Sequence, residues 1–321
     1  MPNIEAQFAN NKIVIIGAGN VGTTTAFALI SSQVVSEITL IDINEDKAEG
    51  EVLDLRDGLP FLQPININTG DYSACRDADI IIISAGFNQE PGETRLDLTE
   101  KNISVFSDIL PQVLAFNPSP LLLIATNPVD VLTHYSINAT GLSPDQVLGS
   151  GTVLDSSRLR YALSSHCKVD PRSIHGYVIG EHGDGAVIVW STLQIGGMKM
   201  EEYCQICQTG CPPLDHFDAE VKEAAYNIIS KKGATYYSIA LALKRIVESI
   251  LRDENSILTV SSYISEYYGI NDICLSLPSI INQKGREALL PIPLNDSEIT
   301  SLQDTATKLK DISNNFLYDL V

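Results

Sequence analysis

Ile13-Val14-Ile15-Ile16-Gly17-Ala18-Gly19-Asn20-Val21-Gly22-Thr23-Thr24-Thr25-Ala26-Phe27-Ala28 decides the fold. A β-branched run leads into three glycines at GxGxxG spacing and then into a helix of small residues. The first glycine permits a tight turn and the second lets backbone approach a pyrophosphate. The third lets helix pack closely on strand, with the helix N-terminus facing the anion. The spacing alone is a weak signal, but here a strand precedes it and a helix follows. Asp42 ends the next apolar run, about twenty residues past Gly22. A carboxylate there accepts hydrogen bonds from an adenine ribose and repels a 2′-phosphate, which favours NAD over NADP. Lys47, close by, either lies over the adenosine or is a solvated helix lysine.

Outward from this unit, short β-branched runs alternate with helical patterns. Ile13–Ile16, Ile38–Ile41, Ile80–Ile83, Leu121–Ala125 and Val147–Leu148 read as strands, each apolar throughout. Strands of that kind belong to a parallel sheet covered by helices on both faces, a doubly wound α/β unit. After about Gly151 the pattern changes to a helix over Leu154–Cys167, a strand pair around Gly176–Val189 and one helical stretch from Ala219 to about Arg252. Strands near Ile257–Val260 and Ile273–Ile281 follow, then a last helix opened by Asn295 and Glu298 at capping-box spacing. The expected organisation is a Rossmann domain over 1–150 and a mixed α+β substrate domain over 151–321.

Composition narrows the function. A formal charge of −19 without any basic cluster argues against nucleic acid, because phosphate binding needs grouped Lys and Arg. The first residues lack a secretory signal and no apolar run reaches membrane-spanning length, so a cytoplasmic protein is expected. Six scattered cysteines do not make a disulfide framework. Cys204, Cys207 and Cys211, with His216 beyond, have a spacing that could hold zinc. A run of reduced thiols on a surface segment is the simpler reading, since the remaining chemistry needs no metal.

Besides a dinucleotide, hydride transfer to a carbonyl needs a proton donor for the oxygen, a group that tunes the donor, a cation where the substrate carries a carboxylate, and exclusion of water. Asp155 and Arg158, three apart at a helix start, share one face, where they can orient a histidine and clamp a carboxylate with a planar fork. Arg160, two residues on, points elsewhere. His182, in Gly180-Glu181-His182-Gly183-Asp184, is the candidate donor; a lone histidine is more often structural. Arg95 follows the breaker-rich Pro91-Gly92-Glu93-Thr94, and either closes over a ligand or sits in a surface ion pair. Asn127 ends a strand at the carboxyl edge of the sheet, where ligands of this architecture bind; a plain Asn-Pro turn is the alternative.

Taken together, GAGNVG at Gly17, QEPGETRLDL at Gln89, TNPVD at Thr126, GSGTVLDSSRLR at Gly149, IGEHGD at Ile179 and KKGATYYSIA at Lys231 resemble L-lactate dehydrogenases of the bacterial type, over nearly the whole chain. The resemblance implies that His182 is the acid/base, Asp155 its partner, Arg158 the carboxylate clamp and Arg95 the mobile-loop arginine that polarises the carbonyl. It places Asn127 beside the substrate oxygen, Ser150 by the nicotinamide amide, and Thr235 and Ile239 in the pocket wall. It further implies cofactor contacts from Gly17, Gly19, Val21, Gly22, Asp42, Lys47, Tyr72, Ala85, Gly86 and Thr126. The expected activity is reversible hydride transfer between NADH and pyruvate, giving L-lactate at the end of fermentative glycolysis, in a cytoplasmic homotetramer. Gln89 stands where malate dehydrogenases of the family have an arginine, so oxaloacetate would bring an unpaired charge into a closed site. Arg160 and His175 match positions that hold fructose 1,6-bisphosphate in activated bacterial relatives. Ile188, where a proline is common, Gly185-Ala186 and Asn88 depart from the pattern without removing a catalytic group. The rival readings are a malate or branched 2-hydroxyacid dehydrogenase and a non-catalytic binding protein on the same fold.

Overall fold

The computed structural model describes residues 11–88, 92–207, 209–210 and 214–317. The first six strands are β1 Lys12–Ile16, β2 Glu37–Ile41, β3 Asn66–Thr69, β4 Ile80–Ile83, β5 Leu122–Ile124 and β6 Val147–Gly149. They pair in parallel in the order β3-β2-β1-β4-β5-β6. Helices α1 Asn20–Ile30, α2 Glu45–Gly58, α3 Arg95–Phe116 and α4 Val129–Thr140 lie between these strands. The run Ile80–Ile83 is fully buried, as expected for a central strand covered on both faces. Strand β3 was not among the expected ones. Its Asn66-Ile67-Asn68-Thr69 is polar at the edge of the sheet, where only Ile67 faces the core.

The second half begins with α5 Val153–Cys167 and continues through β7 Ile174–His175, β8 Val178–Gly180, β9 Ala186–Ile188, β10 Gln194–Ile195, β11 Met198–Lys199 and α6 Met200–Cys204. It is completed by α7 Leu214–Lys232, α8 Tyr237–Leu251, β12 Ser256–Leu258, β13 Ser261–Ile264, β14 Ile273–Ser276, β15 Ser279–Asn282, β16 Gly285–Leu289 and α9 Asp296–Leu317. The single helical stretch expected over 219–252 is two helices. Gly233 takes φ +84°, a left-handed conformation that stops α7, and its N–H closes on the Ile229 carbonyl. The cap expected at the last helix is present, with Glu298 N–H donating to Asn295 Oδ1 at 2.9 Å and Asn295 N–H donating to Glu298 Oε2 at 2.9 Å.

The two halves share one sheet. Antiparallel strands continue it beyond β6 in the order β13-β14-β8-β9, so ten strands form a single layer. The junction is made where Ser261 pairs with Gly149. A methyl at Gly149 would press on Thr133, Val129 and Ser261, so the seam closes only with glycine there. Apolar cores lie on both faces of the parallel strands; the one containing Ile13, Ile38 and Ile80 also takes in Leu243 and Ile246 of α8, which locks the halves together.

The cysteine segment differs from its expectation. Cys204 is disulfide-bonded, so this is not a run of reduced thiols, while Cys207 is free. Cys211 lies outside the described residues.

Candidate active site

The three glycines of the turn stand in different surroundings. Gly17 has φ +108°, and a side chain there would run into Ala85 of the neighbouring strand end. A methyl at Gly22 would collide with the Gly17 carbonyl. Gly19 is the opposite case, since a methyl there meets nothing within 4 Å and points into open space. Gly19 is also the N-cap of α1 without a side-chain cap, and no acidic residue lies in the first turn. The free N–H groups and positive end of the helix therefore face the open side of the glycine turn, the arrangement a pyrophosphate fits. Asp42 holds the turn from the side, accepting from Ala18 N–H at 2.7 Å and Asn44 N–H at 2.9 Å. These residues fit a dinucleotide.

Around this cradle, Thr126 donates its hydroxyl to the Ala85 carbonyl at 2.7 Å, which joins the ends of β4 and β5 next to Gly86. Val21 is half-buried against the core, Tyr72 is half-buried and its hydroxyl pKa is pushed up by burial, and Lys47 is exposed on α2. Ser150 is buried, with its N–H on the Ile124 carbonyl, and Ile239 is buried in the core shared with Val153 and Leu154. Thr235 is half-buried in the link between α7 and α8. Asn127 has an exposed side chain, and its bond to Pro128 is cis.

The charged cluster forms at the start of α5 and the β8–β9 turn. Asp155 shares its carboxylate between two cations, with Oδ2 on His182 Nδ1 at 2.6 Å and Oδ1 on Arg158 Nη1 at 2.8 Å. Burial works against both charges, lowering the His182 pKa and raising that of Asp155. The mutual attraction outweighs it, so His182 is held above its ordinary value and Asp155 below. Arg95, the first residue of α3, forms an ion pair with Glu181, the residue before His182. Arg95, the expected mobile-loop arginine, is the first residue of a helix opened by a Thr94–Asp97 capping box. Gln89 lies outside the described residues.

Three residues support this cluster without having been singled out. Asp130, buried on α4, accepts the His182 N–H at 2.8 Å, and burial pushes its carboxyl up to about 6. Asn102, fully buried in α3, donates to the Asn127 carbonyl at 2.7 Å and clasps Phe87 through both its N–H and carbonyl, tying two ligand-edge loops together. Glu181 is the third. Asn102 was detectable as an amide on the buried face of an amphipathic helix; Asp130 and Glu181 sit within recognised motifs, but their partners are set only by tertiary contact.

Arg160 points away from this cluster, donating Nε to the Ser156 carbonyl at 3.2 Å, and His175 is exposed on β7. Among the described residues no helix is long and apolar enough to cross a membrane.

A dinucleotide cradle beside a His–Asp–Arg cluster, at the carboxyl edge of one sheet, defines an NAD-dependent oxidoreductase. The chain belongs to the lactate/malate dehydrogenase family: the family's NAD-binding domain matches residues 11–149 and its α/β C-terminal domain matches 152–318. It is 50% identical over 304 residues to the L-lactate dehydrogenase of Thermoanaerobacterium saccharolyticum, covering 94% of this chain and 98% of that one. It is 49% identical over 309 residues to the L-lactate dehydrogenase of Acetivibrio thermocellus, with the same coverage. Its structure is similar to that of a minor L-lactate dehydrogenase from Enterococcus mundtii in a ligands-bound form, with a TM-score of 0.93 at 39% identity over 96% of this chain and 98% of that one.

Proposed function

We propose that this chain is an L-lactate dehydrogenase that reduces pyruvate to L-lactate with NADH and also runs the reverse reaction. The observation that carries the reading is the Asp155 carboxylate held between His182 and Arg158. With Nδ1 on Asp155, the Nε2 proton of His182 is the one available to a substrate oxygen. The raised pKa keeps that proton in place near neutral pH. Arg158 spends Nη1 on Asp155, and the rest of its fork is left for a carboxylate. Arg95 is the cation for the carbonyl oxygen, where negative charge grows in the transition state. NADH, held by Gly17, Gly19, Gly22 and Asp42, supplies the hydride.

The choice between pyruvate and oxaloacetate falls to Gln89, which is neutral. NADH oxidation followed with pyruvate and with oxaloacetate tests this directly. Strong turnover on pyruvate with little on oxaloacetate is expected, and preference for oxaloacetate would overturn the assignment.

The same reading extends to assembly and regulation. A two-domain organisation, 1–150 and 151–321, is supported by the break between parallel and antiparallel strands. A homotetramer is supported by Phe27 on α1 and Leu241 on α8, apolar side chains 63% and 60% exposed on helices that pack together. Fructose 1,6-bisphosphate as activator is supported by Arg160, which burial strips of solvent and which pairs with no carboxylate among the described residues, with His175 as its expected companion. An unchanged pyruvate saturation curve on adding the bisphosphate would remove this part. The cytoplasm is the compartment proposed.

A further inference from the structure

The Arg95–Glu181 pair lies one residue from His182. Glu181 stands in the turn from β8 to β9, and its carboxylate is about 10% exposed. Both of its oxygens are committed: Oε1 holds Arg95 Nη1, and Oε2 accepts the Gly185 N–H at 3.1 Å from within the same turn. Arg95 is anchored from the other side by the capping box that starts α3. Between them lies Gly183, where an added methyl would come within 3.3 Å of Arg95 Nη1 and 3.5 Å of Nη2. The guanidinium therefore lies close against the histidine turn, within contact distance of a side chain at position 183.

Charge explains why a carboxylate is needed there. Arg158 and protonated His182 share the Asp155 carboxylate, and Asp130 also draws on His182, whereas the ion pair of Arg95 is with Glu181. Without a partner of its own, Arg95 would be repelled from the histidine it must work beside.

We propose that Glu181 is a positioning residue that docks Arg95 against the His182 turn ahead of substrate, so that the polarising cation and the proton donor act as one preset unit. The proposal rests on the reading of Arg95 as the carbonyl-polarising cation. A merely structural Glu181 would serve only to staple the turn through Gly185. Glutamine separates the two roles, because its amide oxygen still accepts the Gly185 N–H while the charge that holds Arg95 is gone. Glu181 also acts electrostatically on Asp130 of α4 and Tyr226 of α7, so the effect must be traced to Arg95 specifically.

The test is a double-mutant cycle on steady-state pyruvate reduction, using the full-length enzyme, Glu181→Gln, Arg95→Gln and the double variant, with NADH affinity measured by fluorescence titration. Glu181→Gln is expected to lower kcat about tenfold or more, the scale of a misplaced catalytic group, with NADH affinity unchanged. In the Arg95→Gln background the same substitution is expected to cost less than about twofold. Glu181→Asp, which keeps the charge on a shorter arm, is expected to recover part of the loss. An equal cost in both backgrounds, or loss of NADH binding in step with kcat, overturns the proposal while leaving the site assignment standing. If the parent enzyme does not reduce pyruvate, or Arg95→Gln leaves kcat intact, the site assignment fails and this proposal with it.

Discussion

The glycine cradle and the charged cluster of this molecule are built from different materials. The cradle after β1 is made of backbone: three glycines, a helix N-terminus and one carboxylate that organises a turn. The substrate cluster is made of charged side chains delivered by α3, α5 and the β8–β9 turn, each charge balanced by the next. Shape governs the first and protonation governs the second. A change of one atom's volume should therefore be felt in the cradle, and a change of one charge in the cluster.

The widest separation of the two is expected from His182→Asn. Turnover of pyruvate should fall by up to about 10⁴-fold, the upper end of the roughly 10²–10⁴-fold range for a general acid, while NADH titration remains that of the parent. Weaker NADH binding in that variant would mean that the two are not independent.

Asp155→Asn comes next, and its effect depends on pH. In the parent, His182 is held above its ordinary value of 6.5, so pyruvate reduction falls only as pH rises past that raised value. The His182–Asp155 pair adds stability that is fully present below pH 6.5 and is lost as pH climbs through the folded-state value. Asparagine leaves burial and Arg158, which lower the His182 pKa, opposed only by the weaker pull of Asp130. The basic limb of the rate profile should move toward acid, with a loss on the order of 10²-fold near pH 7. A limb that stays in place would show that Asp155 does not set the proton affinity of His182.

The smallest expected effects sharpen the cradle itself. Gly22→Ala drives a methyl into the Gly17 carbonyl and should destabilise the protein by about 1–3 kcal/mol in thermal unfolding. Gly19→Ala, whose methyl meets no protein atom, should unfold as the parent does, yet bind NADH about tenfold more weakly, roughly 1.4 kcal/mol. Equal behaviour of the two variants would dissolve the distinction between a packing glycine and a ligand-facing one.

The same contrast explains what could be read from the sequence. The cradle was legible because its pieces are contiguous: strand, GAGNVG, helix and a carboxylate one strand later. Asp155 and Arg158 were legible because helix geometry places residues three apart on one face. The meeting of Asp155 with His182, 27 residues away, needed the family resemblance to anticipate it. Asp130 and Glu181 escaped because nothing local distinguishes a buried acid with a backbone partner from a helix-start or turn acid. Polar β3 escaped because it is an edge strand with one inward residue. The break at Gly233 did have a signal, a glycine directly after Lys231-Lys232, which the apolar periodicity on either side obscured.

The ten-stranded layer has a further consequence for motion. Because Gly149 and Ser261 press against each other at the seam, and α8 is packed into the first half's core, opening the halves at that seam would break a strand pairing and a shared core together. The glycine cradle after β1 and the charged cluster at the start of α5 are thus fittings of one mount, held in register by the same sheet.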